Sequence, residues 1–181
     1  MSHPTPILTT PRLRLRGWQA GDLPAFAAMN ADPVVREFFP GLMTREECEA
    51  MIARVTDHFD RDGFGFWAVE LLATGQFIGM VGLQNVPFES HFTPNVEIGW
   101  RIAREFWGNG YATEAAQACL DLGFQTLGLK EIVAFTVPAN LRSRAVMERL
   151  GMTRNPEDDF DHPSLSKGHP LERHVLYRIR K

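Results

Sequence analysis

Residues 95–124 read NVEIGWRIAREFWGNGYATEAAQACLDLGF and contain the strongest local pattern in the chain. From 95 to 103, apolar side chains alternate with polar or small ones, which predicts a strand. The Gly-Asn-Gly sequence at 108–110 then precedes 112–127, where apolar residues recur at helical spacing as far as Gly128. The stretch therefore predicts a strand, a glycine loop and a long helix in succession.

The loop Trp107–Ala112 has the composition of an anion-binding site. Small residues let backbone N–H groups approach a ligand, and the start of a helix adds unpaired N–H groups and a positive dipole end. The Lys-Ser/Thr pair of a nucleoside-triphosphate loop is absent, and Gly-x-Gly is also typical of an ordinary tight turn. The loop alone leaves both interpretations open.

The rest of the chain alternates predicted strands and helices, which indicates a mixed α/β fold. A capping box of Thr44 and Glu47 marks one helix start, and Asp22 marks another. The polar segment 155–170 predicts a long loop. Further strands are predicted at 12–16, 66–72, 76–83, 131–137 and 171–179, and a further helix at 141–150.

Composition excludes several classes of protein. The 181 residues, 44% of them hydrophobic, suit a single domain spanning 1–181. Nineteen basic and 22 acidic residues give a net charge of −3, so neither nucleic acid nor an anionic membrane is an expected partner. Without a long apolar run or a signal-peptide pattern, we expect a soluble, cytoplasmic protein.

No metal site or disulfide is predicted. Cys48 and Cys119 are far apart in sequence, and neither belongs to a CxxC pair. His162, His169 and His174 lack the ligand spacing of a metal site.

Together with residues 132–152, IVAFTVPANLRSRAVMERLGM, the opening stretch closely resembles the GNAT superfamily of acyl-CoA-dependent N-acyltransferases. Residues 8–23, LTTPRLRLRGWQAGDL, and 77–86, FIGMVGLQNV, resemble the branch that includes bacterial ribosomal-protein N-terminal acetyltransferases. The resemblance extends from about Ile7 to Tyr177. It implies a GNAT-like α/β (mixed α+β) fold, in which a mostly antiparallel sheet of six to seven strands is splayed between strands 4 and 5 and flanked by helices.

The resemblance also implies acetyl-CoA as co-substrate, with no metal. Backbone amides in the family signature hold the pyrophosphate; Gly110 and Ala112 match its two small positions, whereas Trp107 replaces the usual Gln or Arg. The strand at 95–103 matches the family's fourth strand, which pairs with the pantetheine arm. A backbone N–H near Ile98 or Gly99 would polarise the thioester carbonyl. The expected cofactor-binding residues are Ile98, Gly99, Trp100, Arg101, Ile102, Trp107, Gly108, Asn109, Gly110, Tyr111, Ala112, Thr113, Asn140 and Ser143.

Glu97 is the predicted catalytic base, since it lies at or beside the position where many relatives have one. An amine is nucleophilic only when neutral. An α-amino group, with a pKa of roughly 7.7 to 8.0, needs less help than a lysine near 10.4. The alternative is that Glu97 pairs with Arg101 or Arg104 and only stabilises the sheet.

Asn140 and Ser143 match the family's Asn-x-x-Ser at the start of a helix. Asn is also a common helix cap, and both roles are compatible. Many relatives protonate the departing thiolate with a Tyr slightly further on, where this chain has Met147 and Glu148. We therefore expect Ser143 to be the second catalytic residue, with water as the competing donor.

These assignments predict direct acetyl transfer to a primary amine, most specifically a protein or peptide N-terminal α-amine. The alternatives are a small-molecule amine, such as an amino acid, polyamine or aminoglycoside, and a non-catalytic acyl-CoA-binding regulator. Residues 18–39 and 155–170 are expected to select the acceptor. The acidic residues between 157 and 161 are either a solvated loop or an attraction for a cationic amine. An exposed edge of the C-terminal strand suggests a homodimer.

Overall fold

In the computed structural model, which describes residues 5–181, nine strands form a mixed sheet with four α-helices around it. The strands are β1 Leu8–Thr9, β2 Leu13–Arg16, β3 Phe66–Leu71, β4 Phe77–Asn85, β5 Val96–Ile102, β6 Glu131–Thr136, β7 Thr153–Arg154, β8 Phe160–Asp161 and β9 Arg173–Arg180. The helices are α1 Leu23–Ala31, α2 Arg45–Asp62, α3 Tyr111–Asp121 and α4 Leu141–Arg149.

The sheet has the order β1-β2-β3-β4-β5-β6-β9-β7, and β8 pairs with β9. Only β5 and β6 are parallel neighbours; the other pairs in the described chain are antiparallel. The expected mixed, mostly antiparallel sheet is therefore confirmed. There are nine strands instead of six to seven because β1, β7 and β8 have two residues each, too few to produce an alternating pattern.

The predicted capping box is confirmed at the start of α2. The Thr44 hydroxyl accepts from the backbone N–H of Glu47 at 3.2 Å, and the Glu47 carboxylate accepts from the Thr44 N–H at 2.7 Å. The helix ends at Gly63, whose φ of 77° lies in the left-handed region. Local residue chemistry thus sets both ends of the helix.

Two helices contact opposite faces of the central strands. Asn30 of α1 contacts Arg101 on one face of β5. On the other face, the turn after α3 packs so closely that a Cβ on Gly123 would lie 2.7 Å from the Ile132 side chain and 3.4 Å from Leu83. Leu83 faces Ile98 across the β4–β5 pair, so this is the Ile98 face of β5.

The sheet opens between β5 and β6, as expected for the family's fourth and fifth strands. β5 pairs with β4 along its whole length, from Val96 to Ile102. It pairs with β6 only at Glu97 and Val133, and β6 pairs along its full length with β9. Beyond Glu97 the two strands diverge, which leaves one edge of β5 without a strand partner.

The expectation that the C-terminal strand has an exposed edge is wrong. β9 pairs with β6 on one side and with β7 and β8 on the other. The segment predicted as a loop at 155–170 supplies β8, whose Phe160 is buried in an aromatic cluster with Phe92 and Phe135. The edge on which the dimer expectation rested is thus covered by the chain itself.

None of the helices in the described part of the chain, residues 5–181, has both the length and the apolar composition to cross a membrane.

Candidate active site

All the predicted site residues line one cavity at the opening between β5 and β6. Its volume of about 1400 Å³ exceeds the roughly 300–1,000 Å³ typical of pockets for drug-sized ligands. The cavity therefore has room for a long ligand together with an acceptor. The predicted residues that it contains are Glu97, Ile98, Gly99, Trp100, Arg101, Ile102, Trp107, Gly108, Asn109, Gly110, Tyr111, Ala112, Thr113, Asn140 and Ser143.

The glycine loop presents a row of free N–H groups to the cavity. Gly108 and Gly110 both have φ of 78°, a left-handed conformation that strongly favours glycine. The helical ladder of α3 begins when Glu114 donates to the Gly110 carbonyl at 3.0 Å. The N–H groups of 111–113 precede that bond and have no hydrogen-bond partner within residues 5–181. With the helix dipole, they form an anion site.

The Trp107 side chain holds the loop in place. Its Nε1 donates to the Ile102 carbonyl at 2.7 Å, and the Arg142 guanidinium lies 4.5 Å from its ring centroid. The Asn109 amide also donates to the carbonyls of Phe106 and Trp107, at 3.0 and 3.1 Å. The aromatic residue at the family's Gln/Arg position thus fixes the loop to the end of β5.

Arg12, which the sequence did not single out, fixes the start of α3. Its Nε donates to the Glu114 carboxylate at 2.6 Å, and its guanidinium lies 4.6 Å from the Tyr111 ring centroid. The same carboxylate accepts from the Thr10 hydroxyl at 2.6 Å. These contacts join the loop to the first strands of the sheet.

The hydrogen-bond register shows which β5 amides face the opening. Bonds between β4 and β5 at either end of the pair involve Asn95 and Ala103, so the odd-numbered residues turn their backbone groups toward β4. The even-numbered residues face β6. The N–H of Gly99 therefore lies within the β4 ladder. The N–H of Ile98 lies next to Glu97, which forms with Val133 the one residue pair between β5 and β6. Trp100 is the first residue beyond it with an N–H directed into the gap.

Glu97 contacts Gln84, its directly opposite neighbour on β4. The Gln84 amide donates to the Glu97 carboxylate, and neither Arg101 nor Arg104 forms an ion pair with it. Burial raises the pKa of Glu97 to about 7, and the Gln84 hydrogen bond opposes part of that rise. The ion-pair interpretation is therefore wrong: the carboxyl group exchanges its proton near neutral pH.

Asn140 has a structural role as the cap of α4. Its Oδ1 accepts from the Ser143 N–H at 3.3 Å, and its Nδ2 donates to the Thr136 hydroxyl at 2.9 Å. The Ser143 hydroxyl accepts from the Trp100 indole at 3.3 Å, and its own proton has no acceptor within residues 5–181. That proton is free for a ligand in the cavity.

Tyr177, which lies beside α4, does not take the place of the family's Tyr. The Tyr177 hydroxyl donates to Glu148 at 3.0 Å and accepts from Arg144 at 3.2 Å, outside the cavity lining. Met147 is buried against the core. Ser143 is thus a cavity-lining hydroxyl in contact with the indole of Trp100 on β5.

The two segments expected to select the acceptor, 18–39 and 155–170, each contribute only some of their residues to the cavity lining. Phe38, Phe39 and Pro40 line the cavity, whereas Trp18 packs against Phe26 at 4.8 Å and does not. His162 contributes to the lining from the 155–170 segment.

The acidic residues at 157–161 are outside the lining, and three of them are ion-paired. Asp158, Asp159 and Asp161 contact Arg178, Arg154 and Arg173 respectively. The attraction proposed for this cluster is therefore largely neutralised within the fold. Within residues 5–181, no group of three His, Cys, Asp or Glu side chains is placed to hold a metal ion.

The chain is similar to known acetyltransferases. A family model described as an acetyltransferase (GNAT) domain matches residues 12–153. The uncharacterized N-acetyltransferase YnaD of Bacillus subtilis is 32% identical over 174 residues, which cover 95% of each chain. The crystal structure of an acetyltransferase from Agrobacterium tumefaciens is 30% identical, with a TM-score of 0.79 over 97% of this chain and 95% of that one.

More distant structures share the fold alone. The ribosomal-protein-S5-alanine acetyltransferase of Vibrio fischeri has a TM-score of 0.76 and 17% identity, over 97% of this chain and 96% of that one. The spermidine N-acetyltransferase of Vibrio cholerae, solved with CoA and spermine, has a TM-score of 0.73 and 20% identity, over 94% and 96%. One fold thus serves enzymes named for very different acceptors. On the family match and the full-length relative, the chain belongs to the GNAT family and is an N-acetyltransferase.

Proposed function

We propose that residues 1–181 form a single domain that transfers the acetyl group of acetyl-CoA directly to the α-amine at a protein or peptide N-terminus. One observation carries the proposal: a single cavity joins the free N–H groups of 111–113 to the free edge of β5. An extended ligand with an anionic end and an amide-containing arm fits that combination, and acetyl-CoA is such a ligand.

The backbone supplies most of the cofactor contacts in this proposal. The N–H groups of 111–113 bind the pyrophosphate, and the outward N–H and C=O of Trp100, with the Ile98 C=O and the Ile102 N–H, pair with the pantetheine arm. The Trp100 N–H polarises the thioester carbonyl and stabilises the oxyanion that forms there. Because these are backbone groups, replacing the family's Gln or Arg by Trp107 does not remove them.

Glu97 accepts the proton of the attacking amine, directly or through one water. Its pKa of about 7 lies close to the roughly 7.7–8.0 of an α-amine, so proton transfer between them is nearly balanced. A lysine side chain near 10.4 is a poorer match. This pairing supports an α-amine as the acceptor.

Ser143 protonates the leaving thiolate. The amine nitrogen bonds to the thioester carbon, the carbon–sulfur bond breaks, and sulfur takes the hydroxyl proton, which solvent restores. The indole of Trp100 orients this hydroxyl by donating to its oxygen. Neither Cys48 nor Cys119 lines the cavity, and burial raises the pKa of both thiols, so direct transfer is favoured over an acetyl-cysteine intermediate.

Thiol release from acetyl-CoA, measured across a panel of acceptors, tests the proposal. The panel contains peptides that begin with Ser, Ala or Met, together with free amino acids, polyamines and an aminoglycoside. We expect the highest kcat/KM for peptides, with the acetyl group on the α-amine. Activity confined to small amines would replace the acceptor assignment, whereas saturable acetyl-CoA binding without thiol release for any amine would indicate a regulator.

A further inference from the structure

Arg101 is a charged side chain in the cavity that the reaction above does not use. It follows Glu97 by four residues on β5, so both side chains lie on the same face of the strand. Its Nη1 donates to Asn30 Oδ1 at 2.7 Å, and its guanidinium lies 4.3 Å from the Phe39 ring centroid. Burial lowers the pKa of Arg101 to about 9, which leaves it charged at neutral pH.

Arg101 has no anionic partner within residues 5–181. Its Nε is buried without a hydrogen bond, and the ionisable groups that shift the pKa of Arg101 are Arg36 and Cys48, with no carboxylate among them. The buried Arg16 shows the usual arrangement, since it contacts both Asp22 and Glu70. Charged side chains are seldom buried unless paired.

The free edge of Arg101 has the geometry that recognises a carboxylate. Nη1 donates to Asn30 Oδ1 and lies 4.0 Å from Met43 Sδ. Nη2 has no protein partner in the described chain, and Nε is also unpartnered but is enclosed by the protein. These two groups form the side-on fork that pairs with both oxygens of a carboxylate. Arg36, whose guanidinium lies 4.4 Å from the Phe39 ring centroid, adds a second positive charge nearby. The site is therefore built for an anion.

The position of Arg101 limits where that anion lies in the acceptor. The acetyl group is expected beside Trp100, the residue that precedes Arg101 on β5. Arg101 also lies two residues, or roughly 7 Å, beyond Gly99. The contacts of Arg101 with Asn30 and Phe39 place its side chain beside α1 and the segment that joins α1 to α2. A ligand group bound there belongs to the acceptor and lies within a few bonds of the reacting amine.

We propose that the acceptor bears a carboxylate close to its amine and that Arg101 binds this carboxylate. Two sources share this chemistry: the α-carboxylate of a free amino acid, and the side chain of an Asp or Glu at the start of a peptide. The inference rests on the proposed function, because it names the acceptor class of the same site. Arg101 is then a specificity residue that acts mainly through acceptor binding.

Matched acceptor pairs test this proposal. One pair is alanine and alaninamide; the other is two peptides with blocked C-termini that differ only in Asp or Asn at position one. We expect the carboxylate member of one pair to have a kcat/KM, calculated for the neutral amine, that is higher by at least about ten-fold, mostly through KM. Preference in the first pair identifies a free amino acid, and preference in the second identifies an acidic peptide.

Variants connect the preference to the residue. Arg101→Met is expected to abolish the preference, Arg101→Lys to retain part of it, and Arg104→Met, an exposed residue outside the cavity, to leave it unchanged. Thermal unfolding controls for folding: Arg101→Met removes the donor to the buried Asn30 Oδ1, so its Tm is compared with the assay temperature to show that the variant remains folded.

Two results overturn the proposal: equal kcat/KM within both pairs, or an unchanged preference in Arg101→Met. Failure of the proposed function is distinct from both results. If activity is confined to small amines, the peptide assignment fails while the alanine pair still decides the carboxylate site. The other failure is that no acceptor releases thiol. In that case, calorimetric binding of the same pairs to the CoA-bound protein still decides the carboxylate site, since equal affinities contradict it and a preference lost in Arg101→Met supports it.

Discussion

Replacing Glu97 by Gln removes the proposed base while preserving the shape of the side chain and a hydrogen-bonding partner for Gln84. With a pKa of about 7, Glu97 is mostly ionised at pH 8 and mostly protonated at pH 6. A positioned general base typically contributes 10²–10⁴-fold to the rate. At pH 8 we therefore expect the variant to lose at least about 10²-fold in kcat/KM for the acceptor.

The pH profile distinguishes loss of a base from a general defect. Below pH 7, kcat/KM of the wild type depends on the ionised carboxylate and on the neutral α-amine, so its logarithm rises with a slope of two. Without the carboxylate, only the amine titrates, and the slope becomes one. Thiol release measured from pH 5.5 to 9, with the exposed Glu105→Gln as control, gives both slopes. Equal slopes in wild type and Glu97→Gln would refute the assignment.

The same substitution has a predicted effect on stability. A carboxyl whose pKa is raised in the folded state stabilises the fold at low pH, and this stability is lost as pH rises from about 4.5 through about 7. The shift corresponds to about 3 kcal/mol. Relative to wild type, Glu97→Gln should gain unfolding free energy between pH 5 and pH 8, measured by urea titration. A difference that does not change with pH contradicts the raised pKa.

Three further substitutions test other parts of the site. Ser143→Ala should lower kcat by about ten-fold or more with little change in the Kd for acetyl-CoA, and an unchanged kcat would assign the thiolate proton to water. Gly110→Ala places a Cβ in a left-handed conformation at a cost of about 1–2 kcal/mol and should weaken CoA binding measured by calorimetry; Gly75→Ala, at φ 71° in the β3–β4 turn, should cost similar stability and leave CoA affinity intact. Asn140→Ala should lower the unfolding free energy by about 1 kcal/mol through loss of the α4 cap, and a change in activity alone would contradict its structural role.

Features set by neighbouring residues could be predicted from the sequence. Alternation located β5 to within a residue at each end, and the Thr44–Glu47 capping box located the start of α2. The two-residue strands could not be predicted, since their conformation follows from pairing with distant partners. β7 and β8 form only because β9 is present. They cover the edge of β9 that the sequence pattern predicts to be exposed.

Within the site, the residues could be predicted but several of their partners could not. Gln84 faces Glu97 because of the β4–β5 register. That register depends on the connection at 86–95, whose sequence has no short-turn signature from which the register could be predicted. The same register decides that the Trp100 N–H, and not that of Gly99, faces the opening. The contact of Arg101 with Asn30 joins residues 71 positions apart, so no local pattern reveals it.

The central claim is that this cavity transfers an acetyl group from acetyl-CoA to an amine without an enzyme-bound intermediate. A single-turnover reaction tests this claim most directly. Excess protein is mixed with acetyl-CoA and a peptide acceptor, and mass spectrometry follows the peptide and the intact protein while free thiol is measured. We predict one acetylated peptide for each thiol released and no acetylated protein at any time. Thiol release before peptide acetylation, with the acetyl group on the protein, would contradict the account, as would bound acetyl-CoA that acetylates no amine.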